Sequence, residues 1–308
     1  MEIATYGSTA MHAKLIEGLR QYGITDPIRR FDDLSDEERR AIRILFGWYM
    51  PQEVIDACPS LEWIQGAGAG VDWLMTVNIP DRITVTRIVD QFGPDMGEYA
   101  LLAALAWVKD WRRWSLLQKS REWTPHLVGQ LSLLTVGVLG AGSIGGHIAA
   151  VFRPLVAEVR ALGRHLPNLA GVVGFSADQW PAFYRDLDLL IMVLPHTSDT
   201  YHLVGWPQLR LMRTGGFVIN IGRGAVLDEG ALVMAIRSGQ LSGACLDVFE
   251  VEPLPKESVL WDLPGMTITP HVSGPSRVEG MVRVFADNLK RFRQRRALVG
   301  VVDRGRGY

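Results

Sequence analysis

The 308-residue sequence predicts an α/β fold of two domains, each a parallel sheet flanked by helices. Three observations carry this. Short apolar runs alternate with segments of helical apolar spacing along most of the chain. Near the middle, a buried strand runs into a Gly-x-Gly-x-x-Gly loop and then into a helix. The length suits two domains of about 100–200 residues rather than one.

The elements follow in order. Residues 3–6 and 27–31 read as strands, with a helix over 10–22 whose Leu15, Ile16 and Leu19 share a face. Ser35-Asp-Glu-Glu38 has the form of a capping box, each end satisfying a free backbone N–H of the other. Further strands are expected at 42–47, 61–65 and 83–88. Residues 95–117 read as one long helix, with Leu101, Ala104, Leu105 and Val108 as its apolar stripe. A loop with Pro125 follows, and a second α/β pattern begins near Leu133. Its strands are expected at 135–139, 156–162, 189–194, 217–221, 243–248 and 266–269. Residues 277–293 are helical again.

Composition excludes several classes. Thirty-two Lys and Arg against 33 Asp and Glu give a net charge of −1, so there is no basic footprint for nucleic acid or an anionic membrane. The longest apolar run, residues 100–108, is far below the ~20 residues of a membrane span. The start, with Glu2 and no basic segment, does not read as a secretory leader. Cys58 and Cys245 lack CxxC neighbours, so no disulfide framework or metal site is expected, and a reducing cytoplasm fits.

The central loop is Val136-Gly-Val-Leu-Gly140-Ala-Gly142-Ser-Ile-Gly145. Gly140 permits the tight turn, Gly142 leaves room for a pyrophosphate against the backbone, and Gly145 lets the helix pack on the sheet. The helix N-terminus at Ser143 and Ile144 faces the phosphates. The motif therefore predicts a dinucleotide site. At the tip of the next strand an acidic residue usually holds the ribose of NAD. Here the residues are Leu162-Gly163-Arg164-His165. Arg164, assisted by His165, suits a 2′-phosphate, so NADP(H) is preferred over NAD(H), which stays possible.

Four further stretches matter: Trp63-Ile-Gln-Gly-Ala-Gly-Ala-Gly-Val-Asp72, Asn220-Ile-Gly-Arg-Gly-Ala-Val-Leu-Asp-Glu229, Leu246-Asp-Val-Phe-Glu-Val-Glu-Pro-Leu-Pro255 and Thr269-Pro-His271. With the glycine loop, their order and spacing resemble the D-isomer-specific 2-hydroxyacid dehydrogenase family over nearly the whole chain. Arg164, the segment Leu-Pro-Lys-Glu-Ser-Val-Leu-Trp261 and the ending Val-Val-Asp-Arg-Gly-Arg-Gly-Tyr308 look like the glyoxylate/hydroxypyruvate reductase branch. The resemblance implies two Rossmann-like or flavodoxin-like domains with the active-site cleft between them. A substrate-binding domain of residues 1–102 and 275–308 would carry an inserted NAD(P)-binding domain, residues 103–274. It also implies a homodimer through the cofactor domain. The reaction implied is reduction of a small 2-oxo acid to the D-2-hydroxy acid.

That chemistry needs a held carboxylate, a polarised carbonyl, a hydride and a proton. Arg223, between Gly222 and Gly224, offers a planar cationic fork; the glycines suit a strained turn. His271 would exchange the proton, and the resemblance gives it Glu252 as the partner whose carboxylate favours the charged imidazolium. Glu250 is expected in a solvated acidic loop. The resemblance puts Asp247 near the nicotinamide carboxamide, and adds Pro195 and Ile221 at strand ends to the cofactor contacts. His196 is expected near the cofactor ribose. Backbone N–H groups of Gly68, Ala69, Gly70 and Val71 would hold the substrate carboxylate. No Lys or Arg lies between Gly66 and Asp72, which argues against a phosphorylated substrate. Trp48 either roofs the site and sets side-chain size or is a core residue. Pro275 departs from the family pattern and bears on entry of the last helix. Two other functions stay open: a dehydrogenase for a bulkier 2-hydroxy acid, and a dinucleotide-sensing co-repressor of the same fold.

Overall fold

A computed structural model describes residues 2–307, so Met1 and Tyr308 lie outside it. The chain divides into two compact units, residues 1–92 with 276–308, and residues 93–275.

The first unit opens with β1 (Ile3–Tyr6), α1 (Thr9–Gln21), β2 (Ile28–Arg30), α2 (Asp36–Arg40), β3 (Ile44–Gly47), α3 (Gln52–Asp56), β4 (Trp63–Gly66) and β5 (Thr84–Thr86). The capping box is present at the start of α2, with Ser35 and Glu38 bonded reciprocally. The five strands pair in parallel in the order β2-β1-β3-β4-β5, the flavodoxin-like order. β3 and β4 are buried at every position, as strands covered on both faces must be.

The second unit begins with α4 (Gly93–Val108) and α5 (Trp111–Ser120). The single helix expected over 95–117 is therefore broken. Asp110 takes φ +50°, a left-handed turn that ends one helix before the next starts, and apolar periodicity does not register it. Next come β6 (Thr135–Leu139), α6 (Ser143–Phe152), β7 (Glu158–Leu162), β8 (Val173–Phe175), α7 (Trp180–Tyr184), β9 (Leu189–Met192), α8 (Trp206–Leu209), β10 (Gly216–Asn220), α9 (Glu229–Arg237), β11 (Leu241–Leu246) and β12 (Met266–Ile268). The seven-stranded parallel sheet runs β12-β11-β10-β9-β6-β7-β8. This is the doubly wound order, with its switch point between β6 and β9. β8 was not expected; it is a three-residue edge strand without a buried position. The core is built from residues such as Leu139, Phe183, Leu190, Val218, Leu232 and Leu246.

Helix α10 (Val278–Arg293) returns to the first unit. It packs on α1, where Val282 lies so close to Gly18 that a Cβ there would meet Cγ2 at 2.5 Å. Phe285 and Phe292 flank the buried Trp63 ring at 5.3 and 5.5 Å.

Candidate active site

The glycine loop leaves β6 at the switch point, where open α/β sheets bind ligands. Gly140 takes φ +107°, which side chains rarely adopt. A Cβ on Gly145 would meet the Gly140 carbonyl oxygen at 1.8 Å, so only glycine lets α6 approach the turn. Gly142 caps α6 with no side-chain bond, and a Cβ built there meets nothing within 4 Å. Open space at that glycine, before a ten-residue helix starting at Ser143, fits a pyrophosphate. The residues present therefore fit a dinucleotide. Arg164 and His165 are exposed just past β7, and residues 162–165 include no Asp or Glu. Arg164 Nη2 lies 3.5 Å from Asp199 Oδ2.

Arg223 follows β10 with extended backbone, φ −138° and ψ 140°. The strain expected at its glycines is not what selects them, since neither has a positive φ. Crowding is the reason. A Cβ on Gly222 would meet the Leu194 carbonyl oxygen at 2.7 Å, and one on Gly224 would meet the Phe249 carbonyl carbon at 1.8 Å. Asn220, 1 % exposed, braces the turn. Its amide donates to the Arg223 carbonyl at 3.0 Å, and its side-chain oxygen accepts from the Gly222 N–H at 3.2 Å. Sequence reasoning passed over this residue; a lone amide ending a buried apolar strand was the available signal.

His271 and Glu252 come together, with Nδ1 2.8 Å from Oε2. The second carboxylate oxygen accepts the Phe249 N–H at 3.0 Å, which fixes Glu252 to its own loop. A carboxylate takes an N–H donor, so Nδ1 carries the proton and Nε2 is left to exchange one. Both side chains are partly exposed, and His271 holds φ +55°, a conformation costing about 1–3 kcal/mol outside glycine. Its N–H donates to the Asp247 carbonyl at 2.8 Å. The Asp247 carboxylate is fully buried and accepts from the backbone N–H groups of Val272 and Ser273 at 2.9 and 2.8 Å.

Glu250 is exposed but bound. Its carboxylate pairs with His202, and its backbone N–H donates to Glu229 at 3.0 Å. Burial raises the Glu229 pKa above its ordinary value. Ile221 is buried with its N–H on the Met192 carbonyl, while Pro195 offers its carbonyl to the Thr200 hydroxyl at 2.7 Å. His196 lies 6.0 Å from Tyr201, ring to ring.

In the first unit, the loop after β4 is tied at both ends. The Ala67 N–H donates to Gly47, and the Gly68 carbonyl accepts from Ile88. Trp48 is 46 % exposed, which removes the core reading. Its ring lies over Gly68, where a Cβ would meet Cζ3 at 2.9 Å. Ala69 and Gly70 are half-buried and Val71 is buried. Among the described residues, no cluster of His, Cys, Asp and Glu forms a metal site, and no helix is long and apolar enough to cross a membrane.

Known proteins share this fold. The family model "D-isomer specific 2-hydroxyacid dehydrogenase, NAD binding domain" matches residues 101–273. Glyoxylate/hydroxypyruvate reductase A of Enterobacter sp. (strain 638) is 31% identical over 269 residues, 85% of this chain and 86% of that protein. Its namesake from Serratia proteamaculans (strain 568) is 32% identical over the same length and shares. The NADPH-dependent glyoxylate/hydroxypyruvate reductase of Sinorhizobium meliloti, solved with NADP and sulfate, has a TM-score of 0.91 at 27% identity, covering 100% of both chains. A D-isomer specific 2-hydroxyacid dehydrogenase from Xanthobacter autotrophicus Py2, solved with NADPH and MES, has a TM-score of 0.89 at 29% identity, covering 100% of this chain and 99% of that one. The chain belongs to the D-isomer specific 2-hydroxyacid dehydrogenases.

Proposed function

We propose that this chain reduces a small 2-oxo acid of the glyoxylate or hydroxypyruvate type to the D-2-hydroxy acid, with NADPH preferred and NADH possible. The observation that carries the reading is the His271–Glu252 pair, held in a dinucleotide-binding unit that also carries Arg223. The reduced nicotinamide, when bound, supplies the hydride.

The protein's own residues do the rest. Gly140, Gly142, Ser143, Ile144 and Gly145 cradle the pyrophosphate. Arg164, with His165, meets the 2′-phosphate, and Pro195 and Ile221 line the rest of the cofactor path. Arg223 holds the substrate carboxylate or carbonyl oxygen with a fork that stays charged at any working pH. His271 gives the proton from Nε2 to the new alkoxide, and Glu252 on Nδ1 stabilises the imidazolium that gives it. The first unit is the substrate-binding domain. Backbone N–H groups of Gly68, Ala69, Gly70 and Val71 hold the carboxylate, and Trp48 limits side-chain size.

We infer a homodimer through the cofactor unit. Leu102, Trp111, Leu116, Trp123 and Leu127, on α4, α5 and the loop after it, are 58 to 100 % exposed. Apolar exposure of that size on neighbouring elements suits a protein partner. Two free buried cysteines fit a cytoplasmic location.

The test is loss of reduced-nicotinamide absorbance with glyoxylate and with hydroxypyruvate, run with NADPH and with NADH. Turnover favouring NADPH supports the whole reading. Turnover favouring NADH keeps the reductase and overturns the role of Arg164. No turnover by a protein that binds both cofactors overturns the substrate class and leads to bulkier 2-oxo acids.

A further inference from the structure

The Asp247 carboxylate has a third donor. The Thr269 hydroxyl lies 2.5 Å from Oδ1, which also accepts the Val272 N–H. The Tyr99 hydroxyl, from α4, lies 2.5 Å from the same Thr269 oxygen and 3.4 Å from Cys245 Sγ. An ionised carboxylate only accepts, so Thr269 spends its single proton on Asp247. The Thr269 oxygen must then accept from Tyr99, and Tyr99 in turn accepts from the Cys245 thiol. The direction of every bond in the row is therefore fixed, and each proton points toward Asp247. Burial pushes the Tyr99 phenol and the Cys245 thiol up from their ordinary values, so both remain protonated donors.

The row ends on the segment that carries His271. Asp247 binds the N–H of 272 and 273 through its side chain and that of 271 through its carbonyl. Three consecutive N–H groups thus converge on one residue. They hold His271 at its left-handed φ of +55°, which its own side chain disfavours. Resting on the reading of His271 as the proton donor, we propose that Tyr99 and Thr269 are positioning residues for it, acting through Asp247 and not touching substrate or cofactor. Charge-assisted and chained hydrogen bonds in a half-buried site are the strong ones.

The experiment compares wild type, Tyr99→Phe, Thr269→Val and Thr269→Ser. Three readouts are taken: the His271 ring resonance by NMR (assigned by its loss in His271→Gln), kcat against KM for glyoxylate with NADPH, and NADPH affinity by fluorescence. Tyr99→Phe deletes one oxygen and keeps the ring, so it tests the bond and not the packing. The expected result is a moved or doubled His271 resonance in Tyr99→Phe and Thr269→Val. With it comes a kcat about tenfold lower in Tyr99→Phe and lower still in Thr269→Val, as loss of bonds to a charged group implies. NADPH affinity should stay unchanged, and Thr269→Ser should restore wild-type values. A His271 resonance unmoved in both variants overturns the proposal, whatever the turnover. So does a loss that Thr269→Ser does not rescue. Absence of wild-type turnover overturns the proposed substrate instead, and the resonance still decides the positioning role.

Discussion

Position 271 is occupied by a histidine in a backbone conformation that glycine would hold at lower cost, which marks the side chain as the reason for the residue. His271→Ala and Arg223→Ala should each lower turnover by at least about a hundredfold, the usual worth of a proton donor or a charged anchor. NADPH affinity, read by fluorescence, should change little in either; wild-type-like turnover in a purified variant would sink the assignment. The glycine loop offers a sharper contrast. Gly145→Ala drives a methyl into the Gly140 carbonyl and should destabilise the fold by about 1–3 kcal/mol, as overpacking does. Gly142→Ala enters open space. It should therefore melt like wild type yet bind NADPH at least about tenfold more weakly, its methyl occupying the phosphate's place. Equal melting of the two variants would argue against this division of labour.

Elements differ in how far the sequence reveals them. The buried strands were legible because both faces are covered, so their apolar runs are continuous; β6 was read to the residue. The glycine loop was legible because its motif is local, and the pairing of Glu252 with His271 was legible through the family resemblance. What escaped is non-local or small. The Tyr99–Thr269 bond joins residues 170 apart, and nothing near Tyr99 announces its partner. The α4–α5 break rests on one left-handed aspartate, and β8 is short and half-exposed. The roles of Gly222 and Gly224 come from neighbouring backbones that only the fold brings near. At this scale the cap of α9 can be tested. Asp228 accepts the Ala231 N–H at 2.9 Å, so Asp228→Ala should cost about 1 kcal/mol. Calorimetry should place the melting of the second unit roughly 2–4 °C lower.

For the molecule as a whole, the proposed dimer makes a direct prediction. Trp123→Glu with Leu127→Glu puts two charges on the most exposed apolar side chains, 96 and 100 % exposed. Light scattering should report a dimer for wild type and a monomer for the double variant. A monomeric wild type, or a variant that remains dimeric, overturns the inferred interface. The insertion of one unit within the other also imposes an order on synthesis. Residues 93–275 are contiguous and can complete their sheet as they leave the ribosome, domains generally folding as units during translation. The first 92 residues cannot do the same. Trp63 waits for Phe285 and Phe292 to cover its ring, and the edge of β5 waits for Thr86 to bridge Val301 and for the Val302 N–H to reach the Val85 carbonyl. The unit that begins the chain is thus the one that finishes folding last, and until then the uncovered face of Trp63 and the open edge of β5 are the nascent chain's exposure to chaperones and proteases.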